Sequence, residues 1–157
     1  MLAGALTVVV LVAAWWQSHP SAFDTRTVTA ARGAASVGEA AHVDSGIYAG
    51  QAVTLLSVRP RLAPGSPGAD IALTVCGPPR SSFAGVGFVG GDLRGYCGTT
   101  SDVDDAALRM PSQQIVVSIR PREAGIVRIE GFDVRYRDGL QVGTQHTGSE
   151  ITVTVSD

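Results

Sequence analysis

The sequence contains no lysine and no asparagine, so all twelve of its basic side chains are arginine. Fourteen acidic residues set the formal net charge at −2, and the two signs are interleaved along the chain rather than gathered. Nothing in that balance forms a basic face for a phosphate backbone, so no nucleic-acid partner is expected. The all-arginine basic set follows from composition and is not in itself a sign of phosphate or carboxylate binding. The three histidines, His19, His42 and His146, are too dispersed to read as a metal site, and neither a metal nor a cofactor is expected. No serine lies in a nucleophile-elbow sequence. The run Gly85-Val86-Gly87-Phe88-Val89-Gly90 does not sit between a strand and a helix as a dinucleotide-binding turn must. No residue is therefore assigned a catalytic role.

Charge is also missing from Met1 to Trp16, which run through Leu2, Leu6, Val8, Val9, Val10, Leu11 and Val12 to Trp15 and Trp16. As a helix this stretch covers about 24 Å, slightly less than a hydrocarbon core of roughly 30 Å. Indole is apolar in body and polar at its N–H, so the tandem tryptophan suits the membrane interface. Residues 1–17 are read as one transmembrane helix that remains attached. A cleaved signal peptide is the rival, but the start lacks a basic residue and Pro20-Ser21-Ala22 is a poor cleavage site. Arg26 and Arg32 alone would keep the following domain in the cytoplasm. The cysteines argue for the other side, and the expected location is a single-pass membrane protein with an extracytoplasmic domain.

Residues 18–49 are rich in Ser, Ala, Gly and Thr without sustained helical period, and read as a tether with one short β-like run from Thr25 to Ala31. From residue 50 to 157, alternation with period two takes over. Leu56 and Val58 mark one strand, Ile71, Leu73 and Val75 a second, Ile115, Val117 and Ile119 a third, and Ile151, Val153 and Val155 the last. Pro60, the stretch Pro64 to Gly68, Gly77-Pro78-Pro79 and Pro121 separate them. The expected fold is all-β, an immunoglobulin-like antiparallel sandwich of about seven strands preceded by the helix. Val127 and Ile129 are out of phase with Phe132, Val134 and Tyr136, which predicts a β-bulge at Gly131. A three-residue turn from Arg137 to Gly139, pairing Tyr136 with Leu140, keeps one apolar face in register.

Cys76 and Cys97 are the most informative pair, since an exported domain with two cysteines usually joins them. Ala72-Leu73-Thr74-Val75-Cys76 faintly resembles the strand that carries the catalytic cysteine of sortases, anchored β-barrel enzymes. That resemblance implies a histidine well upstream and an arginine on a neighbouring strand. Here His42 falls in the tether and Arg80 follows Gly77-Pro78-Pro79, and the disulfide is preferred to the nucleophile. Ser101-Asp102-Val103-Asp104-Asp105 gathers carboxylates, but an EF-hand would need glycine at Ala107 and glutamate at Gln113. A capped turn opening a short helix through Leu108 is expected instead. Arg120, Arg122, Arg128, Arg135 and Arg137 fall close together and could line one face for contact with a polyanion or lipid head groups. Glu123, Glu130, Asp133 and Asp138 are interspersed, as on an ordinary solvated sheet.

The layout from anchor to last strand, with the stretch Tyr136-Arg137-Asp138-Gly139 to Gly148, resembles small membrane-anchored β-sandwich proteins of unknown function from high-GC Gram-positive bacteria. Abundant Ala, Val, Gly, Arg and Asp fit such a genome. The resemblance brings no active site. The absence of any convergent catalytic set in a domain with an anchor points to a non-enzymatic binding or structural module of the cell envelope, with the membrane and an envelope protein as partners. The alternatives are a cysteine-dependent envelope enzyme and a structural subunit that pairs through a sheet edge.

Overall fold

Ile115, Val117 and Ile119 are wholly buried on one strand, and Ile151, Val153 and Val155 are buried on another. Such a two-residue period makes a sheet apolar on one face, and the stable solution is a second sheet laid against it. A computed structural model, describing residues 21–24, 30–79 and 89–157, has this arrangement. The strands are β1 (Ala30–Ser36), β2 (Ala41–Asp44), β3 (Val53–Leu62), β4 (Ala69–Pro79), β5 (Val89–Gly90), β6 (Cys97–Asp102), β7 (Ala107–Leu108), β8 (Gln114–Pro121), β9 (Gly125–Asp138) and β10 (Gln141–Ser156). They form two five-stranded sheets, ordered β1-β10-β9-β3-β7 and β5-β2-β8-β4-β6. The pairing is antiparallel except between β1 and β10, which run parallel. The expectation of an all-β fold holds for the described residues. Residues 1–17, with Trp15 and Trp16, lie outside them, as do His19, Arg26 and Arg80. Among the described residues no helix is long and apolar enough to cross a membrane.

Between the sheets, Tyr136, Phe132, Ile47, Leu55, Ile119, Ile129 and Ile151 are fully buried. Full burial of one such aliphatic side chain is worth about 1.5–3 kcal/mol, so this layer dominates the stability of the fold. Ile47 and Val43 come from the stretch read as a tether, which supplies β1 and β2 and belongs to the sandwich from Ala30 onward. Its strands escaped pattern reading for physical reasons. β1 is built of small residues, Ala-Ala-Arg-Gly-Ala-Ala-Ser, and is held by parallel pairing to β10, so it needs few large apolar side chains of its own. β2 is only four residues long, too short to show a period.

The phase change in β9 occurs where it was expected. Gly131 has φ +95°, and between Pro60 and Leu62 of β3 the facing β9 segment carries one extra residue, so Ile129 and Phe132 both point inward. A side chain at 131 would meet His146, its Cβ falling 2.9 Å from the ring Nε2. A second bulge at Leu56 shifts the register of β3, and Leu55, not Leu56, joins Val58 in the core.

The β9–β10 turn differs from the expected three-residue loop. Asp138 faces Gln141, Tyr136 faces Gly143, and the loop has two residues, Gly139 and Leu140. Gly139 at φ +57° occupies the first central position of a tight hairpin, where positive φ is required and glycine costs least. Leu140, expected opposite Tyr136 on the apolar face, is instead fully exposed at the tip. The short helix expected after Ser101 is likewise absent. Residues 97–102 continue as β6, and a turn with Asp105 at φ 57° leads into β7, its start stabilised by Val103 N donating to Asp102 Oδ1 at 2.7 Å.

Candidate functional site

The open side of the sandwich is where its two sheets stop covering one another. β7 and the residue before it pair with β3 only from Val53 to Leu55, and no described strand pairs with the rest of that β3 edge. β6 pairs with β4 from Thr74 to Pro79, and no described strand pairs with the outer edge of β4 from Ala69 to Leu73. Between these two edges lies an open cleft of about 610 Å³. Val58 and Pro60 form its wall on one sheet, Ile71 and Leu73 on the other, and Val103, Asp102 and Asp104 close it where the chain leaves β6. Ile71 and Leu73 point into the sandwich yet are only half-buried, although their register partners Ile119 and Val117 are wholly buried. Apolar side chains beside unpaired backbone form the kind of surface that accepts an extended segment.

The cleft is held by the disulfide. Cys76 and Cys97 are bonded, with Cα atoms 5.2 Å apart and a sequence separation of 21. Both are buried on the outer face of their sheet against Val116, with Leu93 packed over them. Because β6 pairs only with β4 among the described residues, this bond fixes the strand that carries Thr100, Ser101 and Asp102 to the cleft. Neither sulfur is a free thiol, so the chemistry implied by the sortase-like strand has no nucleophile in this state.

One arrangement was not legible from sequence. His42, assigned to the tether, is nearly buried on β2, its Nδ1 2.7 Å from Ser118 Oγ and its Nε2 2.9 Å from the Gly91 carbonyl. A carbonyl only accepts, so Nε2 carries the proton and Nδ1 accepts from the Ser118 hydroxyl. Serine and histidine in this relation form the start of a nucleophile–base pair. Here the pair fastens the Gly90–Gly91 segment over the sheet, and neither residue lines the cleft, although Ala72, opposite Ser118, does. The 76-residue separation of the two left no local signal to find.

The five arginines do not come together. Arg120 ends β8 in one sheet, and Arg122 just beyond it is engaged by the Asp70 side chain. That contact holds the Asp70 carboxyl below its usual range and raises Arg122. Arg128, Arg135 and Arg137 lie on β9 in the other sheet, all exposed. Between them Asp133 accepts from Arg61 at 3.1 Å and meets His146 Nδ1 at 3.0 Å, while His146 Nε2 lies 3.0 Å from the Glu130 carbonyl. Hydrogen bonding to His146, and next to Arg61, lowers the Asp133 carboxyl. Elsewhere Tyr48 donates to Asp44 at 2.8 Å. Burial, then the Asp44 charge and hydrogen bond, push its phenol up to about 12. Among the described residues, no three His, Cys, Asp or Glu side chains are grouped to hold a metal ion. No protein-family model matches the chain, and no curated protein sequence matches it.

Proposed function

We propose that the chain is a non-enzymatic, extracytoplasmic binding or structural module, tethered to the membrane by residues 1–17 and accessory to an envelope complex. The observation that carries this reading is the cleft between the free edges of β3 and β4, with Ile71 and Leu73 half-buried in it. An extended partner segment laid along Ala69–Leu73 would complete the β4 edge through main-chain hydrogen bonds and cover those two side chains. Asp102 and Asp104 at the rim favour a segment with basic residues. The disulfide supports an oxidising compartment, hence the outer side of the membrane.

The immunoglobulin-like assignment rests on strand order. Leaving out the short β5, β6 and β7, the remaining seven strands give β1-β10-β9-β3 facing β2-β8-β4. That is the order in which an immunoglobulin-type sandwich places its first strand beside its last and its fifth between its second and fourth. Domains of this class serve many unrelated roles, so the fold raises the expectation of a binding module without naming the ligand.

A photo-crosslinking residue at Ala72, which is exposed on the free edge, tests the reading in membranes that express the full chain. The expected result is a discrete adduct from position 72, lost when Leu73→Arg fills the cleft, and no such adduct from Glu123 in the β8–β9 turn. Equal labelling from both positions would remove the cleft from the account.

A further inference from the structure

We infer that the β9–β10 turn, with Leu140 at its tip, is a docking surface for an anionic phospholipid bilayer. The inference rests on the reading of residues 1–17 as a membrane anchor and adds to it the face that the sandwich turns toward the lipid.

Leu140 is 102% exposed and Val142 47% exposed, on a two-residue turn whose geometry requires glycine at its first position and nothing in particular at its second. An apolar residue there serves no purpose within the sandwich. Arg137 faces Val142 and Arg135 faces Thr144 across the hairpin, and both arginines are exposed. Arg109, also exposed, follows β7 beside the start of β3 at the same end. One carboxylate, Asp138, lies in the same hairpin and accepts from the Gln51 side chain, so the three arginines outnumber it. The end of the sandwich thus offers one projecting leucine with exposed arginines on β9 and after β7 at the same end, a combination that partitions into a negatively charged head-group layer.

The position of the first described residues fixes this end as the proximal one. Ala22 N donates to the Tyr136 hydroxyl at 3.2 Å, and Phe23 exchanges hydrogen bonds with the Gln145 side chain at 3.2 and 2.8 Å. Phe23 also stacks edge-on against Tyr136, with ring centroids 4.9 Å apart. Tyr136 faces Gly143, three residues or about 10 Å along the strand from Leu140. On that reading the anchor ends at residue 17, and the five steps of chain from there to Ala22 reach at most about 18 Å. A head-group layer is roughly 5–8 Å deep on each side of the hydrocarbon core. With so short a connector, the end of the sandwich that carries Leu140 is held at that layer, while the β8–β9 turn points away from it.

The test uses the full chain reconstituted in phosphatidylcholine vesicles containing phosphatidylglycerol. Cys76 and Cys97 are bonded, so Leu140→Cys supplies the one reactive thiol for a nitroxide, and Glu123→Cys supplies the distal control. Both positions are exposed, and neither substitution disturbs the core. Vesicle flotation is measured on the same samples. The expected result is that both variants float and that the ratio of oxygen to nickel-chelate accessibility is about tenfold higher at 140 than at 123, as for a side chain at the acyl boundary. Removing the phosphatidylglycerol is expected to lower the ratio at 140. Flotation with an aqueous label at 140 overturns the docking surface, leaves the anchor standing, and assigns the tip to a protein partner. Failure to float overturns both.

Discussion

Replacing both cysteines, as Cys76→Ala with Cys97→Ala, removes the covalent link between the end of β4 and the start of β6. The bond spans 21 residues of sequence, and in the chain-entropy model releasing a loop of that size from the unfolded ensemble costs about 3 kcal/mol. Both residues are also almost wholly buried against Val116, so truncation adds the loss of two packed sulfurs, on the order of 1 kcal/mol more. For a domain of this size, a loss of 3–4 kcal/mol lowers the melting temperature by roughly 10–15 °C. Differential scanning calorimetry of the double variant, of the oxidised protein and of the reduced protein checks the figure. The reduced protein and the double variant should melt within a few degrees of each other, because they lack the same link. The effect should also be local, since among the described residues β6 has no strand neighbour besides β4. Hydrogen exchange should therefore rise first at Cys97–Asp102 and not in the β9–β10 hairpin. A double variant that melts with the oxidised protein would refute the reasoning, as would two titratable thiols in unreduced protein.

Three further outcomes are expected. Gly131→Ala forces a side chain onto a backbone at φ +95° and against His146, and denaturant unfolding should show a loss of about 1–3 kcal/mol. The Asp133 carboxyl is lowered in the folded protein, so its contribution is present above about pH 4 and is lost as pH falls below that range; the melting temperatures of Asp133→Asn and the parent protein should converge on acidification, from a gap of no more than about 1 kcal/mol at neutral pH. Burial and the Asp44 carboxylate push the Tyr48 phenol from its ordinary 10.0 up to about 12 in the folded protein, so its contribution is present below pH 10 and is lost as pH rises toward 12; Tyr48→Phe should flatten that alkaline fall in stability, measured by pH-jump unfolding.

The alternating strands were legible because burial on one face leaves a period of two, as in Ile115-Val116-Val117-Ser118-Ile119. The bulge at Gly131 was legible for the same reason, as a break in that period. What escaped the pattern was held by partners rather than by its own side chains. β1 is small-residue strand secured by β10, and β2 is too short to show alternation. At the β9–β10 turn, the apolar alternation that includes Leu140 is misleading, because Leu140 projects from the fold. The run of carboxylates from Asp102 to Asp105 suggested a helix cap, whereas the requirement to cross from one sheet to the other imposes a turn there. Of the candidate site, the disulfide was legible as the pairing of the two cysteines of the chain. The cleft could not, because it arises where β6 and β7 stop short of covering β4 and β3, a property of pairing between distant segments. The arginine group failed for a related reason: adjacent strands β8 and β9 lie in opposite sheets, so neighbours in sequence are separated by the thickness of the sandwich.

The binding role of the cleft is tested most directly by amide hydrogen exchange at Ala69–Leu73, measured for the full chain in its native membrane and again after purification. The account predicts slow exchange at the outward-facing amides of this stretch in the membrane and fast exchange once the partner segment is removed, with Ile115–Ile119 slow in both. Equally fast exchange at Ala69–Leu73 in both preparations would contradict it.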